Sequence, residues 1–282
     1  MKIIGVVLSI FICFMTGVFV ISKRTPQSEP EIKVESSLML RAGKNTIKVA
    51  VIDTGFDFKS NWTKAGFTLP KICDEGHQDF TGYGTQDVHG HGTHIAGLIG
   101  KDIDDVDYCI VALKFYHDHN TLFSESNSKR AMRKAIELGV DVINYSGGGN
   151  DFDADECKLV KYALDSGIQV VAAAGNERSD INKHPYYPAM CDKRVIIVQN
   201  VDIKGKRLPS SNYSLNRKGE THVYSECGDK RLSLGLNNAL DRMTGSSQST
   251  AVMTGKVVRK IQNTRNWKQH YFKAIPQKNM EV

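Results

Sequence analysis

The chain has 282 residues, of which 40% are hydrophobic and 24% charged. These proportions suit one globular domain of moderate size, alone or with an anchor. The net charge of +6 is spread along the chain, densest at Lys129–Lys134 and between Lys256 and Lys278. No basic motif is interleaved with aromatic residues, so no nucleic-acid partner is expected and the charge reads as a solvated face.

From Ile3 to Ile21 every residue is apolar or small, between Lys2 and the pair Lys23–Arg24. The run is long for the apolar core of a signal peptide and just long enough to span a bilayer. Residues 1–22 are therefore expected to be a signal or anchor segment, a membrane tie if uncleaved. The chain is then membrane-anchored or secreted, with its folded domain outside the cytoplasm. The basic flank after the run argues for the opposite orientation, which stays open. Residues 23–45, polar and holding Pro26 and Pro30, read as a linker or short propeptide. The folded domain is expected over 46–265, with a polar tail over 266–282. Cys13 lies in the apolar run; Cys73, Cys109, Cys157, Cys191 and Cys227 follow without a CxxC spacing. No zinc site is expected. An exported domain could form up to two disulfides with one cysteine left over, and the pairing is open.

Ile47 to Ile52 is a short apolar run ending in Asp53-Thr54-Gly55, the pattern of a buried strand entering a turn. His94–Ile99 predicts a helix packed by small residues, and Tyr108–Phe115 a second strand. Ser126–Leu138 has helical spacing and stops at Gly139. Val140–Tyr145 predicts a third strand, Lys158–Ser166 a helix closed by Gly167, Ile168–Ala173 a fourth strand and Arg194–Val201 a fifth. This alternation predicts an α/β fold of three layers, a mostly parallel sheet with helices on both faces. Ligands of such folds sit beyond the carboxyl ends of the strands. Chemistry is expected just after Ile52, Tyr145 and Ala173.

Unusual residues fall at those places. Asp53 alone reads as a turn or cap residue. His91 lies between His89 and His94, but spacings of i, i+2 and i+5 do not suit ligands on one helix face, which need i, i+4. No metal is expected, and one histidine starting a helix could serve as a general base. Ser247 follows Gly245-Ser246 and precedes an apolar stretch, which fits a helix cap or a nucleophile held at a helix start. Asn176 ends the run Val170-Val-Ala-Ala-Ala-Gly175-Asn176, as a turn residue or an amide aimed at an oxyanion. Ser146-Gly147-Gly148-Gly149 is nearly free of side chains, so an extended peptide could lie close to it.

Taken in order, Asp-Thr-Gly after a strand, His-Gly-Thr-His-x-Ala-Gly, Asn-x-Ser-x-Gly-Gly, Ala-Ala-Gly-Asn and Gly-Ser-Ser before a helix resemble the subtilisin-like serine proteases. The resemblance covers residues 45 to 262, and the order Asp, His, Ser matches the subtilisin form of the triad. It implies a serine endopeptidase acting on a polypeptide substrate with no cofactor. Asp53 would orient the imidazole of His91, Ser247 would attack the scissile carbonyl, and Asn176 with the Ser247 N–H would hold the oxyanion. Ser146, Gly147 and Gly148 would flank the substrate and its P1 pocket, with Ala174 and Gly175 on the opposite wall. The nucleophile motif departs from the family's Gly-Thr-Ser-Met-Ala-x-Pro: Gln248 and Ser249 bring polar groups, and Ala251 replaces the proline. The competing expectation is a catalytically impaired relative that binds peptides or a membrane partner. Oligomeric state is not legible.

Overall fold

The computed structural model describes residues 46–62, 67–117, 124–214 and 223–274, with the side chains of 124–125 and 266–274 excepted. Seven strands form one parallel sheet in the order β2-β3-β1-β4-β5-β6-β7. They are β1 Ile47–Asp53, β2 Gln78–Asp79, β3 Tyr108–Lys114, β4 Val142–Tyr145, β5 Gln169–Ala173, β6 Ile196–Val201 and β7 Val223–Cys227. A separate antiparallel hairpin pairs β8 Arg231–Leu234 with β9 Leu240–Met243.

β1 lies between β3 and β4, in the register Val49↔Ile110 and Val49↔Val142. Such a central strand is buried on both faces, which is why its sequence is an unbroken apolar run and not an alternation. Its side chains still divide by face. Ile47, Val49 and Val51 join Tyr108, Ile110 and Ala112 in a cluster with Ile95, Leu98, Ile99, Ala251, Val257 and Val258. The last six belong to helices α1 His91–Gly100 and α4 Ser246–Ala274, which pack on each other and on the sheet. The alternate side chains of β1, such as Ala50 and Ile52, point to the other face. There α2 Ser124–Glu137 packs on β1 and β3, and α3 Ala154–Asp165 on α2 and β5. The three-layer arrangement expected from the alternation of elements is the observed one.

Two disulfides, Cys73–Cys109 and Cys157–Cys191, leave Cys227 free among the described residues. α4 continues past residue 265 into the segment set apart above as a tail. The apolar run Ile3–Ile21 lies outside the described residues. Among those described, no helix is long and apolar enough to cross a membrane.

Candidate active site

Asp53 is the last residue of β1 and is 3% exposed. Its Oδ1 accepts a hydrogen bond from the Thr54 N–H at 2.8 Å and faces His91 Nδ1, also at 2.8 Å. A carboxylate only accepts, so Nδ1 carries the proton and Nε2 is left as the open lone pair of the ring. His91 is the first residue of α1, which therefore starts three residues earlier than its apolar pattern suggests. The two elements meet this closely because residue 92 is glycine. A Cβ there would stand 2.3 Å from the Gly55 carbonyl oxygen and 3.2 Å from Asp53 Oδ1.

The start of α1 is fixed by Asp87, a residue the motif reading passes over. Its Oδ1 accepts from the Thr54 hydroxyl and from the N–H groups of His89 and Gly90. Its Oδ2 accepts from the N–H and the hydroxyl of Thr93. One buried carboxylate thus satisfies N–H groups that α1 cannot satisfy itself and ties them to the turn after Asp53. The only hint in the sequence is its place four residues before His91. Burial alone would push the His91 pKa down. The charge of Asp53, its hydrogen bond and the more distant charge of Asp87 outweigh burial and hold it above the usual histidine value.

His94 turns away from this pair. Its Nε2 lies 3.0 Å from the Arg231 carbonyl oxygen and 3.3 Å from that of Asp241, and burial holds its pKa down. It ties α1 to the β8–β9 hairpin. Among the described residues no group of His, Cys, Asp or Glu side chains is arranged to hold a metal ion.

Ser247 stands at the start of α4. Its hydroxyl donates to the Ser146 carbonyl oxygen at 2.7 Å, and the Ser146 hydroxyl donates to the Ser247 carbonyl oxygen at 3.2 Å. These reciprocal bonds join the end of β4 to the start of α4. Asn176 reaches the same helix start, where its Oδ1 accepts from the Ser246 N–H at 2.9 Å. With Oδ1 so engaged, its amide N–H₂ is the group turned outward. The loop that presents Asn176 is held by Asn212, which no sequence signal singles out. Asn212 Nδ2 donates to the Ala174 carbonyl oxygen, and its Oδ1 accepts from the N–H groups of Glu177 and Ser179.

The altered residues after Ser247 meet polar partners. Ser249 Oγ bonds Asn200 Oδ1 and the Glu226 carbonyl oxygen, and Gln248 Nε2 lies 3.8 Å from Met243 Sδ. The polar groups that stand in place of apolar packing are thus hydrogen-bonded, which removes most of the cost of burying them.

A cavity of about 720 Å³ opens beside His91. Asp53, His91 and the stretch Ser146–Gly149 line it together. Gly148 has φ +146°, and a Cβ there would strike the Tyr187 carbonyl oxygen at 2.3 Å. Ala174 and Gly175 are buried and, like Asn176 and Ser247, are not among the residues lining this cavity.

A doubly wound parallel sheet with a hydrogen-bonded Asp–His pair at its carboxyl edge and a serine at a helix start defines a class of hydrolase-like α/β domain. The Subtilase family model matches residues 44–280, and the chain belongs to that family. It is 31% identical to the major intracellular serine protease of Bacillus subtilis (strain 168), over 76% of this chain and 67% of that protein. It is 27% identical to subtilisin-like protease 2 of Plasmodium falciparum, over 76% of this chain but only 17% of that protein's length. The solved structure of a lanthipeptide protease shares the fold, with a TM-score of 0.67 and 19% identity over 83% of this chain and 79% of that one.

Proposed function

We propose that the chain is a serine endopeptidase in which Ser247 is the nucleophile, His91 the general base and acid, and Asp53 the group that orients the imidazole. The observation that carries this reading is the 2.8 Å contact of His91 Nδ1 with the buried carboxylate of Asp53, at the wall of a cavity edged by Ser146–Gly149. The contact fixes the ring tautomer, so Nε2 is free to take a proton. Substrate binding turns the Ser247 hydroxyl from the Ser146 carbonyl towards Nε2. Ser247 Oγ attacks the scissile carbonyl carbon as its proton passes to His91. The carbonyl oxygen becomes an oxyanion, held by the Asn176 amide and the Ser247 N–H, which lies in the first turn of α4 and has no partner within the helix. His91 then gives its proton to the leaving amine. Water, deprotonated by His91, releases the acyl group and restores Ser247. Ser146, Gly147 and Gly148 leave room for a substrate backbone, with Ala174 and Gly175 supporting the opposite side.

Two disulfides suit an oxidising compartment. We place the domain outside the cytoplasm, held to a membrane by residues 1–22 where these are retained. A fluorophosphonate probe tests the reading. Wild-type protein should label, and Ser247→Ala should not. Labelling that survives the substitution overturns the nucleophile; well-folded wild type that does not label overturns the activity.

A further inference from the structure

The cavity beside His91 is acidic, although the chain carries a net charge of +6. Asp53, Asp151, Asp153, Asp155 and Glu156 line it, and among the described residues no lysine or arginine does. Most of these carboxylates are already engaged. Asp53 holds His91. Asp153 caps α3 through the N–H groups of Asp155 and Glu156 and binds Lys129. Asp155 pairs with Lys158. Asp151 is an exposed rim residue.

Glu156 differs from all of them. It is only 8% exposed, yet it lines the cavity. Its Oε1 accepts from the Ser128 hydroxyl at 3.0 Å and from the Tyr145 hydroxyl at 3.4 Å. Among the described residues its Oε2 has no hydrogen-bond partner. Lys129, the nearby cation, is bound to Asp153. Phe115, Tyr116, Tyr145, Phe152 and Tyr187 complete the walls around it. A largely buried carboxyl group in the wall of an aromatic-lined cavity is matched by one kind of side chain. That side chain has a long apolar stem to lie on the rings and a cation to meet the free oxygen.

We propose that Glu156 makes this enzyme select substrates that place a lysine or arginine side chain in the cavity beside His91. The proposal deepens the protease reading and rests on it. A cation at Oε2 stabilises the ionised carboxylate that burial otherwise disfavours. A neutral side chain of equal length gains the aromatic contact but leaves Oε2 unmet and shielded from water. The rim carboxylate of Asp151 favours the approach of a basic side chain over an acidic one.

The test uses the full chain and matched peptides that differ only by lysine or norleucine, scanned across the positions flanking the scissile bond. At one position lysine should be preferred by at least about tenfold in kcat/KM. In Glu156→Gln, which keeps the shape of the side chain, that ratio should fall to within about threefold of unity. Glu156→Asp should lower it in part, and Asp151→Asn should leave most of it. A flat wild-type profile overturns the proposal, as does a ratio that survives Glu156→Gln or vanishes in Asp151→Asn. The same peptide pairs titrated against Ser247→Ala by fluorescence anisotropy read selectivity without turnover. If wild type does not cut or label but Ser247→Ala still discriminates lysine through Glu156, the protease reading fails and the selectivity stands. If it labels but does not discriminate, the selectivity fails alone.

Discussion

Asp87 reaches no part of the cavity, yet two properties of His91 depend on it. It accepts the N–H groups of His89, Gly90 and Thr93, which fixes where α1 begins and so where the imidazole stands. Its charge also helps hold the His91 pKa above 6.5, together with the larger effect of Asp53 and against burial. General-base catalysis needs the neutral ring, so a raised pKa means the ring stays protonated to higher pH. The acid limb of kcat/KM is therefore expected above the usual histidine value. Asp87→Asn removes one raising charge and sets an N–H₂ group against donors, so the limb should move to lower pH. Misplacement of the ring should also cost about 10- to 100-fold in kcat/KM. A pH–rate profile separates the two effects, because a fold that is only loosened loses rate without moving the limb. An unmoved limb would show that Asp87 has no electrostatic part in the site. Asn176→Ala tests the other side of the serine. Loss of one oxyanion donor should lower kcat by about 10²–10³ with little change in KM, and a change confined to KM would count against that role.

At the scale of elements, what the sequence discloses follows burial. β1, β3, β4, β5 and β6 are legible because inner strands of a parallel sheet are apolar on both faces. β7, Val223–Cys227, is an edge strand with exposed Tyr224 and Ser225, and such a half-exposed run carries no apolar signal. The strands of the β8–β9 hairpin are only four residues each, with two apolar residues apiece, too short for the alternation to stand out. Helix starts carry less sequence signal than helix cores. α3 begins at Ala154, four residues before its apolar pattern, because its first turn is acidic and is capped by Asp153. The motif positions around Asp53, His91, Ser146, Asn176 and Ser247 stand out because each lies at a strand or helix end. Asp87, Asn212 and Glu156 do not, since their roles arise from contacts distant in sequence. The cap of α3 gives a prediction of its own. Asp153 accepts from two N–H groups of the helix and pairs with Lys129 of α2. Asp153→Ala should cost about 1 kcal/mol from the lost cap. Asp153→Asn, which keeps the cap acceptor and loses the charge, should recover most of it in urea denaturation. Equal losses in both variants would assign the stability to the ion pair instead.

For the whole molecule, the two disulfides secure different halves of the sheet. Cys73–Cys109 joins the segment before β2 to β3, near one edge. Cys157–Cys191 joins α3 to the turn of 3-10 helix at Ala189–Cys191, which packs against β5 and β6. Each closes a loop of moderate length, with sequence separations of 36 and 34. Chain-entropy reasoning gives about 3–4 kcal/mol for loops of this size. A domain of this size shifts its melting temperature by about 2–4 °C per kcal/mol, so removing either bridge should lower Tm by about 6–16 °C. The bridges share no residue and lie on different halves of the sheet, so their effects should add within about 0.5 kcal/mol. Calorimetry on Cys73→Ser/Cys109→Ser, on Cys157→Ser/Cys191→Ser and on the fourfold variant checks both statements. The second pair carries an additional consequence, because Cys157 adjoins Glu156 on α3. If this bridge also fixes the cavity wall at Glu156, its loss should weaken the lysine preference at a temperature where the variant is still folded. Loss of the first bridge should lower Tm and leave that preference in place. Equal selectivity in the two variants would show that the cavity is held by α3's own packing on α2 and β5, and that the disulfide contributes stability alone.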